Sequence, residues 1–254
     1  MMLSELILDL KADSPNFGYY QSSNLQGVLM EWIASDDAQA LHRQRRHPYS
    51  QCLLREDGQW RWHIRTTNQR ANEQIIQPIL SRNVSEFELT GKPMKISVLS
   101  RAYREIPQEK LLAHFYQRDY SRYLHMAFQS ATAFKQSGRY QIFPDVRLIF
   151  QSLMQKYSAS NDMIEMADEK TLEQLCRESE IVQYRLRSVK FPMEGMAIPA
   201  FMGTVTIKVK GASAMAKYAR MLAEFGEFSG VGVKSAMGMG AMHLIKERRR
   251  RHES

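Results

Sequence analysis

The stretch that most constrains this chain runs from Gly226 to Ile245, Gly-Glu-Phe-Ser-Gly-Val-Gly-Val-Lys-Ser-Ala-Met-Gly-Met-Gly-Ala-Met-His-Leu-Ile. Glycines at 230, 232, 238 and 240 leave much of this backbone without Cβ atoms, free to take positive φ and to approach a neighbour closely. Successive free N–H groups in such a loop can form an anion-binding concavity, and Lys234 adds a point charge at its centre. The same glycines would also suit a hairpin used only for tight backbone packing. Two phosphate motifs are excluded. A P-loop needs Gly directly before Lys-Ser, where this chain has Val233, and the dinucleotide fingerprint needs Gly where Ser235 stands. The pattern is therefore Gly-x-Gly-x-Lys-x-x-x-Gly-x-Gly, running from a helix (about 212–225) into a short last strand, Ala241 to Ile245.

That arrangement resembles the glycine-rich loop of the RAMP superfamily, the ferredoxin-like RNA-binding proteins of CRISPR systems. Within it, the chain is most similar to the repeat-cleaving endoribonuclease, the sixth Cas family, which cuts precursor CRISPR RNA. A second match lies at Leu41-His42, followed by His47-Pro48-Tyr49-Ser50. In the family a Leu-His ends the second helix and a Lys-Pro-Phe/Tyr-Ser/Thr opens the next strand. This chain departs from it with His47 in place of the lysine and Met30 where a tyrosine is often found. A third match is Thr132-Ala-Phe-Lys135, at the end of a strand in the second half.

Periodicity and turn signals give an α+β chain. Residues 2–11 read as a strand, Ser23 to Ile33 as a helix with Leu25, Val28, Leu29, Trp32 and Ile33 at helical spacing, and 36–42 as a short second helix. Tyr49 to Arg55 and Trp60 to Thr66 pair through Glu56-Asp57-Gly58-Gln59, and Asn68 caps a helix to Leu80. Strands follow at about 84–90 and 93–104. The order β-α-β-β-α-β is that of a ferredoxin-like unit. After a linking helix (108–121) it repeats: a long strand 123–135, a loop 138–144, helices 146–157 and 169–180, alternating strands 181–190 and 199–210, a helix and the last strand. Two tandem ferredoxin-like (RRM-like, RAMP) units are expected. They divide into an N-terminal domain 1–107 with the catalytic histidine, a C-terminal domain 108–246 with the glycine-rich loop, and a basic tail 247–254.

The net charge is +8, which favours a polyanionic partner. No run of 18 apolar residues exists and the N-terminus lacks a basic n-region, so neither a membrane span nor a signal peptide is expected. The two cysteines, Cys52 and Cys176, form no ligand cluster, and a reduced, cytoplasmic setting follows. No histidine pairs with a Cys or carboxylate at metal-ligand spacing, so neither metal nor cofactor is expected.

The histidine chemistry stands beside the resemblance. Metal-free RNA cleavage uses the substrate's 2′-hydroxyl as nucleophile, so the protein must move protons and stabilise a phosphorane. Imidazole, with an ordinary pKa of about 6.5, moves protons near neutrality. Arg43, Arg45, Arg46 and His47 crowd the turn after His42 and supply charge. His63 and His125, on strands, read as structural. The resemblance implies His42 as acid or base and Gly230, Gly232, Lys234, Gly238 and Gly240 against the RNA backbone, and the crowded turn puts His47 and Arg46 at the scissile phosphate. Arg185 and Arg187, on one strand face, suit either an RNA groove or a charge-protected sheet edge. The implied activity is a single cut per repeat, leaving a 2′,3′-cyclic phosphate (or 3′-phosphate) and a 5′-hydroxyl. The implied partners are CRISPR repeat RNA (pre-crRNA) and other Cas proteins of an effector complex, the chain itself being a monomer or homodimer. The rival is a non-catalytic RAMP subunit, which the glycine loop alone would fit; an imidazole beside an arginine cluster argues for the enzyme.

Overall fold

The structure is a computed structural model that describes residues 2–44, 46–89, 91–116, 121–160, 168–193 and 195–245. Arg45, His252 and the basic tail 247–254 lie outside the described residues.

In the first half, β1 (Met2–Ala12) leads through a 3-10 turn (Tyr19–Gln21) into α1 (Ser22–Trp32) and α2 (Ser35–Arg43). Then come β2 (Tyr49–Glu56), β3 (Gln59–Thr66), and a helical stretch of α3 (Gln69–Ala71), a π turn (Asn72–Ile76) and α4 (Gln77–Arg82). The short β4 (Glu86–Glu88) and the long β5 (Lys95–Pro107) close the half. The sheet order is β2-β3-β1-β5-β4, antiparallel throughout, so its first four strands have the ferredoxin-like arrangement with β4 added at the edge. Alternation explains the faces. Leu6, Leu8 and Leu10 of β1 join Trp62 and Ile64 of β3 under α1, whose Leu25, Val28, Leu29 and Trp32 are buried. Asp57 and Gly58 both have positive φ (50° and 81°), which is the type I′ geometry that suits a two-residue hairpin. Asn68 caps its helix as expected, accepting the Ala71 N–H at 2.8 Å.

The second half repeats the plan: α5 (Gln108–Tyr116), β6 (Tyr123–Thr132), β7 (Phe134–Gln136), β8 (Arg139–Gln141), α6 (Val146–Ser160), α7 (Glu169–Glu178), β9 (Ser179–Met193), β10 (Met196–Val209), α8 (Ser213–Ser229), a 3-10 turn (Ser235–Met237) and β11 (Met242–Leu244). The order β11-β6-β10-β9 is again ferredoxin-like. Two expectations are corrected. The stretch 138–144 is not all loop, because Arg139–Gln141 pairs with β7 around Ser137 and Gly138, both left-handed. The single strand expected over 123–135 is broken at Ala133. There the carbonyls of Ala131 and Ala133 accept N–H groups of Gly240 and Val233, so the glycine loop occupies the strand's end.

The two halves meet across the second face of the first sheet. Ser50 Oγ donates to the Phe228 carbonyl of α8 at 2.5 Å, and the Arg104 guanidinium lies 5.5 Å from the Phe228 ring centre. At the same face the buried Glu5 carboxylate accepts from Arg65 Nε (2.6 Å) and Arg104 Nε (2.7 Å) and lies 3.0 Å from His63 Nδ1. Among the described residues no helix is long and apolar enough to cross a membrane.

Candidate active site

The turn between α2 and β2 is held at both ends by buried side chains, Leu41 (2% exposed) and Tyr49 (1%). Its middle is fixed by Thr67, whose N–H and Oγ1 both donate to the Pro48 carbonyl, at 2.9 and 3.0 Å. His42 and Arg46 are exposed, whereas His47 is half-buried with its ring 5.5 Å from that of Tyr49. The His47 Nδ1 is buried and has no hydrogen-bond partner among the described residues. Burial lowers the His47 pKa from its usual 6.5; the Leu41 carbonyl partly opposes this, and the charges of Lys156 and His42 reinforce it. The ring is therefore biased toward its neutral, proton-accepting form.

The glycine-rich loop starts where α8 ends at Gly230, which is left-handed (φ 65°). Its glycines are forced by proximity to protein. A Cβ on Gly232 would overlap the Ala133 carbonyl, one on Gly238 the Ser22 side chain, and one on Gly240 the Val231 carbonyl; all three residues have positive φ. The expectation of a row of free amides narrows to residues 234–236. The N–H groups of 230–233 and 237–241 are all bonded within the protein, for example Gly232 to Ser152 Oγ at 2.8 Å and Ala241 to Ser130 Oγ at 2.9 Å. Tight backbone packing explains the glycines on both sides of residues 234–236, whose own N–H groups are not among those bonded and which line the cleft. What the loop presents outward is Lys234, itself left-handed (φ 55°), at the entry to the 3-10 turn.

Turn and loop face each other across a cleft of about 400 Å³. Four cations line it, Arg46, Lys135, Lys156 and Lys234, together with His47 and Gly232, and no carboxylate does so among the described residues. Arg46 Nη2 donates to Gln155 Oε1 at 3.1 Å, and Lys135 Nζ lies 5.9 Å from the Tyr140 ring centre. Such a cleft attracts an anion through several point charges at once. Lys156 was not singled out by sequence, because one lysine in an amphipathic helix reads as surface. Its Nζ is enclosed, donating to the carbonyls of Ser229 (3.0 Å) and Gly230 (3.1 Å) and to Ser235 Oγ (2.9 Å), and burial brings its pKa down to about 7.

Not every expected residue gathers here. His42 lies on the other side of the turn and lines a second hollow with Met30, Glu31 and Arg43. Arg185 and Arg187 lie on the exposed edge strand β9, do not line the cleft, and have no carboxylate partner among the described residues. Gly230, Gly238 and Gly240 are buried beneath the loop. His63 sits between Glu5 and Glu56, and His125 Nδ1 is 3.0 Å from Thr206 Oγ1, both within sheets.

Tandem ferredoxin-like units, with a glycine-rich loop between the last helix and last strand, define a protein of the RAMP class. The family model for "CRISPR-associated endoribonuclease Cas6" matches residues 126–242. The chain is 37% identical over 246 residues to the CRISPR-associated endoribonuclease Cas6 of Mycobacterium tuberculosis, covering 95% of this chain and 78% of that protein. It is 38% identical over 220 residues to that of Streptococcus thermophilus, covering 86% and 88%. A solved Cas6 product complex superposes with a TM-score of 0.81 at 20% identity, over 97% of this chain and 100% of the other, and so shares the fold. The chain belongs to the Cas6 family of CRISPR-associated endoribonucleases.

Proposed function

We propose that this chain binds the repeat RNA of precursor CRISPR transcripts in the cation-lined cleft and cuts it once per repeat without a metal ion. The observation that carries the reading is the convergence of the His47 turn and the glycine-rich loop on one cleft with four cations and no acid among the described residues. The named Cas6 relatives and the Cas6 product complex support the substrate class. In this reading residues 1–107 supply the acid–base groups and 108–246 the loop and cleft wall, with the tail 247–254 adding salt-dependent affinity.

The reaction needs three things. The ribose 2′-hydroxyl must lose its proton as its oxygen attacks the adjacent phosphorus, the phosphorane charge must be balanced, and the departing 5′ oxygen must gain a proton. His47, biased to its neutral form, takes the 2′ proton; His42 returns one to the leaving oxygen where the RNA strand crosses the turn from the cleft to the hollow that His42 lines. Such transfers are each worth about a hundred- to ten-thousand-fold in rate. Arg46 and Lys234 face the phosphate and oppose its growing negative charge. The P–O5′ bond breaks, leaving a 2′,3′-cyclic phosphate and a 5′-hydroxyl, and no cofactor enters the balance. Gly230, Gly232, Gly238 and Gly240 act indirectly, by letting the loop pack so that Lys234 stands at the RNA backbone. Arg185 and Arg187 extend the RNA path along β9.

The test is cleavage of the cognate repeat RNA in excess EDTA, with wild type, His42→Ala and His47→Ala, and with end groups mapped. Metal-resistant cutting with a cyclic phosphate, lost by about a hundredfold or more in each variant while RNA binding persists, is expected. Tight binding with no cut by the wild type would identify a structural RNA-binding subunit instead. Cutting that stops in EDTA would refute the metal-free mechanism.

A further inference from the structure

Helix α6 carries a polar stripe of Ser152, Gln155, Lys156 and Ser160, whose three- and four-residue spacings put them on one face. Three of them reach one of the two segments that form the cleft, and Ser160 reaches the turn through Thr67. Ser152 Oγ accepts the Gly232 N–H at 2.8 Å, and Gln155 Oε1 accepts from Arg46 Nη2 at 3.1 Å. Ser160 Oγ lies 2.6 Å from Thr67 Oγ1, which in turn holds the Pro48 carbonyl next to His47. Lys156 stands in the middle. Its Nζ bonds Ser229, Gly230 and Ser235, so it grips the last turn of α8 and the loop beyond it at once.

For packing alone an apolar side chain of this length would serve better, because burying a cation among neutral acceptors is costly. The partners of Lys156 are two carbonyls and a hydroxyl, and the charged groups lining its cleft are all cations, Arg46, Lys135 and Lys234, beside the titratable His47. We propose that Lys156 is a positioning residue for cleavage: its three-point grip sets the glycine-rich loop against the His47 turn, which the same helix holds through Gln155 and Ser160. The proposal rests on the reading that this cleft cuts RNA. It explains how the loop is held to orient a substrate, since α6 fixes both walls in one register.

The charge of Lys156 leaves a second mark. The groups acting on His47 are the Leu41 carbonyl and His42 from α2 and Lys156 from α6, while Arg46, Lys135 and Lys234 line the same cleft. Burial lowers its pKa most, and Lys156 lowers it further. Removing that charge raises the His47 pKa, so the acid limb of a rate profile that needs neutral His47 moves to higher pH.

The experiment measures single-turnover cleavage of cognate repeat RNA against pH, with RNA affinity and thermal melting alongside, for wild type, Lys156→Met, Lys156→Arg and Ser235→Ala. For Lys156→Met we expect a folded protein, an affinity lowered by no more than about tenfold for the one cation lost from the cleft, a rate at saturating RNA lowered by roughly a hundredfold, and an acid limb moved up. Lys156→Arg keeps a charge that cannot fit the three-acceptor socket, so its rate falls while the acid limb stays in place. Ser235→Ala, which removes one acceptor, gives a smaller loss in the same direction. A wild-type rate in Lys156→Met overturns the proposal, as does a parallel loss of rate and affinity with an unmoved acid limb. Should Lys156→Met not fold, a full rate in Ser235→Ala overturns it equally. A wild type that binds but never cuts removes the cleavage reading, and this proposal with it, which separates the two failures.

Discussion

Gly232→Ala isolates the packing role of the loop glycines when it is paired with Gly58→Ala. The two positions have nearly the same left-handed backbone, φ +80° and +81°. An L-side chain there costs roughly 1–2 kcal/mol in either place. At Gly58, in the β2–β3 hairpin, a Cβ meets nothing within 4 Å, so the cost ends there. At Gly232 the Cβ would lie 3.2 Å from the Ala133 carbonyl carbon and closer still to its oxygen. That oxygen already accepts the Val233 N–H at 3.0 Å, so moving it away weakens a bond worth about 1 kcal/mol. The overlap itself adds about 1–3 kcal/mol of overpacking. Gly232→Ala should therefore be less stable than Gly58→Ala by about 2–4 kcal/mol. Urea unfolding of both variants and wild type, compared at equal m-value, measures the difference. Equal midpoints for the two variants would refute the packing argument and return the glycines to a role in binding alone.

Two further outcomes are expected. Glu5→Gln leaves the buried Arg65 without its carboxylate and should cost about 3–5 kcal/mol in denaturant unfolding. Burial alone would raise the Glu5 pKa, but the His63 hydrogen bond and the Arg65 charge hold it far below the usual carboxylate range. Glu56 is likewise lowered, to about 2, first by its His63 bond. Stability from depressed carboxylates is full above their ordinary value of 4.5 and is lost as pH falls below it, so the acid slope of stability should be shallower in Glu5→Gln. Superimposable slopes would dismiss the ion cluster as a source of acid sensitivity. Arg185→Ala with Arg187→Ala should weaken RNA binding and flatten its salt dependence, by about 0.7–0.9 in log–log slope for each phosphate left without its arginine. An unchanged slope would place β9 off the RNA path.

The pattern of apolar residues made most of the fold legible. Leu6, Leu8 and Leu10 fall on one face of a strand, and Leu25, Val28, Leu29 and Trp32 on the helix face above it. Turn chemistry fixed the hairpin at Asp57-Gly58 and the cap at Asn68. These are local consequences of side-chain period and backbone sterics. The β7–β8 hairpin was missed because each strand is only three residues long, too short for a period to register. Leu41-His42, the arginine-rich turn and the glycine loop were likewise visible as types of residue at particular spacings.

What the sequence by itself determined was therefore the α+β order, the position of the loop after the last long helix, and the kinds of group available for proton transfer and charge. Only the tertiary structure decided which of them meet. It brought His47, Arg46, Lys135 and Lys234 to one cleft, set His42 on the far side of the turn, and left Arg185 and Arg187 on a separate edge. It also showed that the loop amides at 230–233 and 237–241 are spent on the protein and that Lys156 is tied to the loop's carbonyls. The reason is physical. Spacing along a chain specifies local geometry, whereas burial, and with it the protonation of Lys156 and His47, depends on what packs against a residue from distant segments, as Gln155 does on Arg46 across 109 positions.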